Sequence, residues 1–367
     1  MAMNISEKAK QHIDACRFCW MCRHICPVAG STGNEAWTPR AKGLMVSMIE
    51  RGTEYDAQIA QAMYHCTMCE ACSNDCVTGF KPTDFIREAR TLAIVNGFAP
   101  KAVNDEIDNI LSRGNIFPND ISEAFLGCIK DLPENAETLL FVGQSGRTVA
   151  SDVSVSAINL LKKAGVSFTV LKDELPSGAY LADLMGLTGE VQQLAVRVDE
   201  AIRAHGAKKL IVLNPMDAVM FKENYSKWEL LAGIEVVTLT SELSSLIASG
   251  ALKVKNVQMK ASIQEPVKLT RGLGEEKPIN DIAVALGIDY VQLFLHGKMS
   301  RCIGTVMMDG YDPTVCREMV ITRLNDASRL GCSTMITASP DDFYLMKKYA
   351  PDSFEVIDLF TLLGSNS

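Results

Sequence analysis

The sequence lacks two features, one that marks membrane-spanning proteins and one that marks secreted proteins. No uncharged apolar stretch reaches the eighteen or so residues that a spanning helix needs. Residues 1–10 also lack the cationic segment followed by an apolar one that marks a secretory leader. Of the 367 residues, 47% are hydrophobic and 22% are charged, as is typical of globular proteins. We therefore expect a cytoplasmic protein of two or three domains, with any membrane association through a partner.

A basic excess is also missing, because 36 Lys and Arg face 44 Asp and Glu and the formal net charge is −8. Binding to nucleic acid depends on positive charge, so no nucleic-acid partner is expected. The segment Gly143-Gln144-Ser145-Gly146 is only part of a G-x-G-x-x-G motif, and nucleotide binding there is not expected. No Ser-His-Asp or Cys-His constellation stands out, so no catalytic residue is assigned.

Cysteine, in contrast, is abundant and regularly spaced. Eight of the twelve cysteines form two C-x2-C-x2-C-x3-C runs, which is the ligand spacing of ferredoxins that hold two [4Fe–4S] clusters. In such ferredoxins the first three cysteines of a run bind one cluster, and the fourth crosses to the other. The predicted ligands are Cys16, Cys19, Cys22 and Cys76 for the first cluster and Cys66, Cys69, Cys72 and Cys26 for the second.

Zinc and disulfides are the alternative uses of these cysteines. Zinc sites usually present two separated C-x2-C pairs, whereas here four thiols fall within eleven residues, twice over. Disulfides are typical of short secreted chains in oxidising compartments. Both alternatives are disfavoured, and oxygen-labile clusters would favour a reducing, anaerobic setting. His24 and His65 are expected to tune the clusters without binding iron, because eight thiolates already complete two four-thiolate sites.

The apolar pattern divides the chain into a helical part and a part in which strands alternate with helices. Residues 1–100 predict a helical domain that carries the cysteine runs on loops and short turns, and residues 101–137 a helical connector. The alternation that follows predicts parallel α/β sheets with right-handed crossovers. Strands are predicted at residues 138–142, 167–171, 210–213, 236–239, 290–295 and 334–337.

The segments Gly33-Asn34-Glu35 and Thr38-Pro39-Arg40-Ala41-Lys42 follow the first cysteine run. With the two runs, they resemble iron–sulfur subunits that join a two-cluster ferredoxin domain to two CCG repeats. Members of this group include the iron–sulfur subunits of glycolate oxidase and of anaerobic glycerol-3-phosphate dehydrogenase, lactate-utilisation iron–sulfur proteins and heterodisulfide reductase subunits. The resemblance implies an α+β fold, in which two Rossmann-like α/β repeats at residues 138–255 and 256–367 follow the helical domain.

In that family each repeat carries a lone Cys, a Cys-Cys-Gly and a Cys-Pro-x-Cys segment. Only Cys302 of the ten corresponding thiols remains here, so the resemblance implies the repeat fold without its additional metal site. Asp217, Asp341 and Asp342 stand at former ligand positions and are expected to be solvated carboxylates at helix starts. The other positions are Gln144, Pro176-Ser177-Gly178, Asn214-Pro215-Met216, Val267, Arg301, Ile303 and Ser339-Pro340.

Together these features imply a non-catalytic electron-transfer subunit with two [4Fe–4S] clusters. By resemblance, its partner would be an FAD-containing dehydrogenase of 2-hydroxy acids or glycerol phosphate, and electrons would pass to a further acceptor protein or membrane subunit. A catalytic role of the heterodisulfide reductase type is one alternative, but it needs more thiolates than remain. A non-enzymatic iron–sulfur sensor or assembly protein is another.

Overall fold

The computed structural model describes residues 5–367, and the first third of the chain is helical. Side chains cap several helices: Ser6, Thr38 and Asp56 accept backbone N–H groups in the first turns of α1, α4 and α5. The helices are α1 Glu7–Asp14, α2 Met21–Ile25, α3 Pro27–Thr32, α4 Pro39–Glu50, α5 Ala57–Tyr64, α6 Ala71–Asp75, α7 Pro82–Val95, α8 Lys101–Arg113 and α9 Glu123–Ile129, with a 3₁₀ turn at Glu35–Trp37.

The first sheet is parallel and has the order β1-β2-β3, formed by Thr138–Phe141, Lys209–Val212 and Glu235–Thr238. On the far side of β1, Thr169 pairs in parallel with Leu139. The helices that connect and follow these strands are α10 Gly143–Arg147, α11 Ser151–Lys163, α12 Ala179–Met185, α13 Gly189–Ala204, α14 Pro215–Val219 and α15 Leu239–Ala248, with a π-helical segment at Met220–Tyr225.

The second sheet repeats this arrangement with the order β5-β4-β6-β7. Its strands are β4 Lys260–Gln264, β5 Asp289–Tyr290, β6 Thr334–Thr337 and β7 Glu355–Asp358, and all pairs are parallel. The helices are α16 Lys277–Ala285, α17 Val306–Tyr311, α18 Pro313–Ser328, α19 Pro340–Tyr349 and α20 Leu359–Ser365, with a π-helical segment at Lys268–Leu273 and a 3₁₀ turn at Gly297–Met299.

Each sheet has a point where the strand order reverses. In the first sheet it lies between β1 and β2, because the segment at Thr169, which follows β1 in sequence, pairs on the opposite side of β1 from β2. In the second sheet it lies between β4 and β6, because β5 pairs on the opposite side of β4 from β6. The crevice outside the carboxyl ends of the strands at such a switch point is the usual ligand position in open parallel sheets. Asn214 follows β2 and Ser339 follows β6 at these two crevices.

The predicted strands agree with the structure where the apolar run is continuous. Those at 138–142, 210–213, 236–239 and 334–337 are each within one residue of an observed strand. The strand at 167–171 is reduced to one pairing at Thr169, and only Tyr290 of 290–295 is in a strand. Strands β4 and β7 were not predicted, because polar residues interrupt the apolar run of β4 and acidic residues begin and end β7.

The helical part and the sheets share one hydrophobic core. Phe85 and Ala89 of α7 belong to the same buried cluster as Leu181 and Leu184 of α12. Hydrogen bonds join the same elements, since the hydroxyl of Thr91 donates to the carbonyl of Met185 at 2.8 Å. The cysteine runs are therefore held rigidly against the α/β part of the molecule.

Candidate metal centre

The two cysteine runs share most features of their local backbone and differ at the residue before the short helix, where Glu70 is left-handed and Trp20 is not. Phe18 and Met68 occupy equivalent positions, and both adopt left-handed conformations with φ of 54° and 50°. Such conformations are uncommon for residues other than glycine and concentrate at functional sites. The short helices α2 and α6 follow, and each ends at a fourth cysteine in extended conformation, with ψ of 117° at Cys26 and 116° at Cys76. This break directs the fourth cysteine of each run away from its own helix.

The first group of thiols contains Cys16, Cys19, Cys22 and Cys76. Burial raises the pKa of the Cys22 thiol to about 11, and the neighbouring thiols of the other three add to the rise. Polar groups of the chain approach these sulfurs: the N–H of Phe18 donates to Cys16 Sγ at 3.4 Å, and Thr78 Oγ1 lies 3.2 Å from Cys76 Sγ. Hydrogen bonds of this kind stabilise cluster thiolates and tune their potential.

The second group lines a small cavity of about 20 Å³. All four predicted ligands lie on its wall, and apolar residues such as Val28, Trp37 and Ile86 complete it. Burial raises the pKa of Cys26 to about 12 and that of Cys72 well above its usual value, and neighbouring thiols of the group raise both further. Four soft donors around one apolar cavity fit a [4Fe–4S] cluster. The lining cysteines are Cys26, Cys66, Cys69 and Cys72.

A buried cation borders this second group. Lys42 is 2% exposed, and its Nζ donates to the carbonyl of Trp37. Burial lowers the pKa of Lys42, whereas the neighbouring Cys66 and Cys26 sulfurs oppose this shift. A fixed positive charge beside four thiolates offsets part of their negative charge. The sequence placed Lys42 in a family motif but gave it no role, and its contact with the cysteines became visible only in the fold.

His65 lies against the second group without a free ring nitrogen. Its Nε2 is 2.9 Å from an Asp312 carboxylate oxygen, and its Nδ1 is 2.9 Å from the carbonyl of Gln61. The imidazole also stacks on Trp37 with ring centroids 3.7 Å apart. Both ring nitrogens are therefore engaged within the chain, and the expectation that His65 does not bind iron stays a prediction. His24, in contrast, is exposed on the last turn of α2.

Arg90 of α7 holds the backbone that leads into the second cysteine run. It is 2% exposed, and its guanidinium donates to the carbonyls of Met63 at 2.9 Å, Cys66 at 2.6 Å and Tyr64 at 3.3 Å. It also donates to the carbonyl of Asp183, which lies in α12 of the α/β part. Nothing in the sequence singled out Arg90, because a buried arginine on an amphipathic helix has no local signature.

The second repeat covers the second group of thiols. The Nε of Arg271 donates to the carbonyl of Cys69 at 2.8 Å, and Lys268 donates to the carbonyl of Met68 at 3.1 Å. The thiol of Cys302 donates to the carbonyl of Gly304 at 3.3 Å and lies beside Cys69, and its proximity together with the charge of Arg271 lowers the pKa of Cys69. The lone thiol that remains from the CCG pattern therefore touches a predicted cluster ligand.

The first group, in contrast, lies at the surface. Cys19 is exposed, and the apolar side chains of Phe18, Trp20, Met21 and Val77 beside the group are more than half exposed. The two groups therefore differ in their access to solvent, and the first is the accessible one.

The residues at the former CCG positions form a buried polar network. Ser177 donates to Asp217 at 2.5 Å, and Asn214 donates to Asp341 at 2.9 Å. Asp217 and Asp341 are 5% and 9% exposed, so the prediction of solvated carboxylates was wrong. It failed because the two switch points face each other, and each repeat buries the helix starts of the other. Such contacts between distant segments leave no local pattern in the sequence.

A carboxylate of the chain itself, that of Glu174, occupies the turn of the partial glycine motif after β1. The carboxylate of Glu174 accepts hydrogen bonds from the backbone N–H groups of Val142 at 2.8 Å and Gly143 at 2.7 Å. Those N–H groups are the ones that a phosphate would need. The turn therefore holds an internal carboxylate.

Residues 5–367 contain no candidate site for a single metal ion, because no three His, Cys, Asp or Glu side chains among them converge on one point. Ligands of a cluster bind separate iron atoms, so they need not converge in this way. Over the same residues, no helix is long and apolar enough to cross a membrane.

Cys302→Ser tests whether the second repeat retains a metal site of its own. We expect the iron content of the anaerobically purified protein to stay at about eight atoms per chain, because the eight cysteines of the two runs supply all ligands. Iron and acid-labile sulfide are measured against the unchanged protein. A fall in iron would show that Cys302 is a ligand and would contradict the assignment.

Comparison with known proteins supports the iron–sulfur assignment of the N-terminal part. A family model described as "4Fe-4S dicluster domain" matches residues 12–80. This segment contains both cysteine runs. One solved structure, of a hypothetical protein from Helicobacter pylori, aligns with 99% of this chain and 73% of its own at a TM-score of 0.58. With 14% identity, that likeness concerns the fold alone.

Three curated proteins are similar in sequence. A "Probable membrane-anchored ferredoxin" of Chromohalobacter salexigens is 26% identical over 67% of this chain and 38% of its own length. An "EtfAB:quinone oxidoreductase" of Syntrophomonas wolfei is 25% identical over 73% and 40%. The "Probable iron-sulfur-binding oxidoreductase FadF" of Bacillus subtilis is 20% identical over 79% and 50%. The chain spans half or less of each relative. Residues 12–80 thus match a 4Fe-4S dicluster domain, and the chain is similar to proteins described as a ferredoxin and as oxidoreductases.

Proposed function

We propose that the chain is an electron-transfer subunit with two [4Fe–4S] clusters. The observation that carries this proposal is the grouping of eight thiols into two sets, each made of three cysteines from one run and the fourth from the other. A [4Fe–4S] cluster, when bound, supplies a one-electron couple. The proposed ligands are Cys16, Cys19, Cys22 and Cys76 for the first cluster and Cys26, Cys66, Cys69 and Cys72 for the second.

The chain provides different surroundings for the two clusters. The first would lie beside exposed apolar side chains, where another protein can approach. The second would lie under the second repeat, with Lys42 and Cys302 next to its ligands. Helices α2 and α6 pack against each other, which brings the two sites side by side. We infer that electrons are exchanged with a partner at the first site and reach the second within the protein.

We further propose that the α/β part is a pair of degenerate CCG-type repeats, at residues 138–255 and 256–367, joined to the domain at residues 1–100 by a connector at 101–137. The matching strand orders of the two sheets support this division. A catalytic role of the heterodisulfide reductase type is disfavoured, since a hydrogen-bonded network of Ser, Asn and Asp side chains stands where that chemistry needs thiolates.

The proposed electron donor is an FAD-containing dehydrogenase, because a reduced flavin holds two electrons that two clusters can remove one at a time. A further protein, at the membrane or elsewhere, would accept them. The names of the relatives, a quinone oxidoreductase and a membrane-anchored ferredoxin, are compatible with such a chain of carriers.

Anaerobic affinity purification from the native host tests the proposal. We expect a flavoprotein to co-purify with the chain, together with about eight iron atoms per copy of the chain. The control is the same purification with a Cys22→Ala and Cys72→Ala double variant, which should carry little iron. Recovery of full iron with no flavin would contradict the dehydrogenase partner while leaving the cluster assignment intact.

Lys42→Met is expected to lower the midpoint potential of the second cluster and leave that of the first nearly unchanged. The physical reason is that reduction adds negative charge, which the buried ammonium beside Cys26 and Cys66 stabilises. A redox titration followed by EPR measures both potentials. Arg51→Met, which removes an exposed cation, is the matched control. A second potential that stays the same or rises would contradict the role of Lys42.

A further inference from the structure

The two switch points meet in one network of buried polar side chains, which we call the carboxyl network. Asp341 of the second repeat accepts hydrogen bonds from Tyr180 at 2.8 Å and Asn214 at 2.9 Å, and from Ser145, all in the first repeat. Arg323 donates to Gln264 at 2.8 Å, and Gln264 in turn hydrogen-bonds Asp342. The members of the network are Ser145, Ser177, Tyr180, Asn214, Asp217, Gln264, Asp341 and Asp342.

A small cavity links the carboxyl network to the second group of thiols. Its volume is about 40 Å³, which is room for about three or four water molecules at roughly 10–15 Å³ each. Asp341 and Asp342 lie on one part of its wall, and Thr67 and Cys302 on another. Thr67 also lines the cavity of the second group of thiols, and Cys302 lies beside the proposed ligand Cys69. The network is thus separated from the cluster site by a single layer of side chains.

The network carries more acid groups than cations. Three aspartates, Asp217, Asp341 and Asp342, lie within it, and one carboxylate oxygen of Asp217 and one of Asp342 are buried without any hydrogen-bond partner. A buried oxygen of this kind needs a proton or a water molecule. The titratable and charged groups that face the aspartates are Glu174, Tyr180, Tyr225, Lys268, Cys302 and Arg323.

Like charges in one buried site cannot all be ionised. Burial raises the pKa of Asp217 to about 8, and the charges of Asp341 and Glu174 add to this effect. Burial likewise raises the pKa of Asp342 to about 7, again with a contribution from Asp341. The raised pKa values and the buried carboxylate oxygens that lack a hydrogen-bond partner both favour protonation of these aspartates near neutral pH.

We propose that the carboxyl network is a proton-binding site that takes up a proton when the second cluster gains an electron. The electron comes from a reduced flavin of the partner or from a chemical reductant. The proton comes from water through the cavity, and a new O–H bond forms on an aspartate carboxylate. The added negative charge of the cluster is thereby neutralised within the protein. This inference rests on the proposed function, because it requires a cluster on Cys26, Cys66, Cys69 and Cys72.

The sign of the pH effect follows from the charges. Reduction places negative charge near the network, so the carboxyl pKa is higher in the reduced than in the oxidised state. Between these two pKa values, reduction takes up a proton, and the midpoint potential falls as pH rises. Above the higher value and below the lower one, the potential does not depend on pH.

The experiment is an EPR-monitored redox titration of the anaerobically purified full-length protein, from about pH 6 to about pH 9. Within this range, we expect the midpoint potential of the second cluster to fall as pH rises, with a slope no steeper than that of one proton taken up per electron. The potential of the first cluster should not change with pH. The Asp217→Asn and Asp342→Asn double variant should lose this slope at unchanged iron content. Asp342→Asn alone, a smaller perturbation, should reduce it. Asp352→Asn, on an exposed loop of the same repeat, is the control and should keep it.

The outcomes separate this inference from the proposed function. Two clusters with potentials that are both independent of pH would overturn the proton site and leave the electron-transfer proposal standing. An unchanged slope in Asp342→Asn and in the double variant would overturn the assignment to the carboxyl network. If iron counts and spectra show no second cluster, the proposed function fails, and the inference fails with it.

Discussion

Replacing Cys26 with alanine should remove the second cluster and leave the first intact. Cys26 belongs to the first cysteine run, but its side chain lies in the cavity with Cys66, Cys69 and Cys72. The iron content should therefore fall from about eight to about four atoms per chain. Selective loss of one of two EPR signals on reduction, together with the iron count, measures the effect.

The reciprocal variant Cys76→Ala should remove the first cluster and leave the second, since Cys76 lies near Cys22. Cys332→Ala is the matched control, because it deletes a buried thiol that is remote from both runs in sequence, and it should keep all iron. If Cys26→Ala removed the signal that Cys22→Ala also removes, each run would hold its own cluster, and the crossed assignment would be wrong.

Arg90→Met should destabilise the protein by at least about 3 kcal/mol, because it leaves buried carbonyl oxygens without a charged donor. Methionine keeps most of the side-chain volume, so lost packing contributes little. The affected carbonyls belong to Met63, Tyr64, Cys66 and Asp183, which join the second cysteine run to the α/β part. Anaerobic urea unfolding followed by circular dichroism and by cluster absorbance measures the change.

Arg51→Met serves as the control, because Arg51 is exposed at the end of α4 and its loss should change the stability by less than about 0.5 kcal/mol. We also expect the cluster absorbance of Arg90→Met to be lost at a lower urea concentration than in the control. Equal stability of the two variants would show that solvent or other donors replace Arg90, and the proposed anchoring would be wrong.

The grouping of the eight thiols is the part of the candidate site that the sequence predicts best. A regular cysteine spacing reflects the local geometry of turns and short helices, which a dozen residues can encode. The same is true of strand β6, whose predicted bounds of 334–337 agree with the structure. Strand β4 was not predicted because its polar residues Ser262 and Gln264 are buried, and their hydrogen bonds to the carbonyls of Val291 and Arg301 replace the apolar pattern.

The surroundings of the clusters could not be predicted from the sequence. Lys42 and Cys26 meet because α4 packs close to the first run, and Arg271 reaches Cys69 from more than two hundred residues away. The carboxyl network is the strongest case, since its acidic groups stand at positions whose sequence pattern indicated solvated helix starts. The partners that bury Asp217 and Asp341 come from distant segments, so only the folded chain shows their chemistry.

The most direct test of this account is an iron and sulfide determination combined with quantitative EPR on the anaerobically purified chain after reduction. We expect about eight iron and eight sulfide per chain, and two interacting one-electron signals with a total of about two spins. About four iron with a single spin, or zinc in place of iron, would contradict the proposal that both groups of thiols hold [4Fe–4S] clusters.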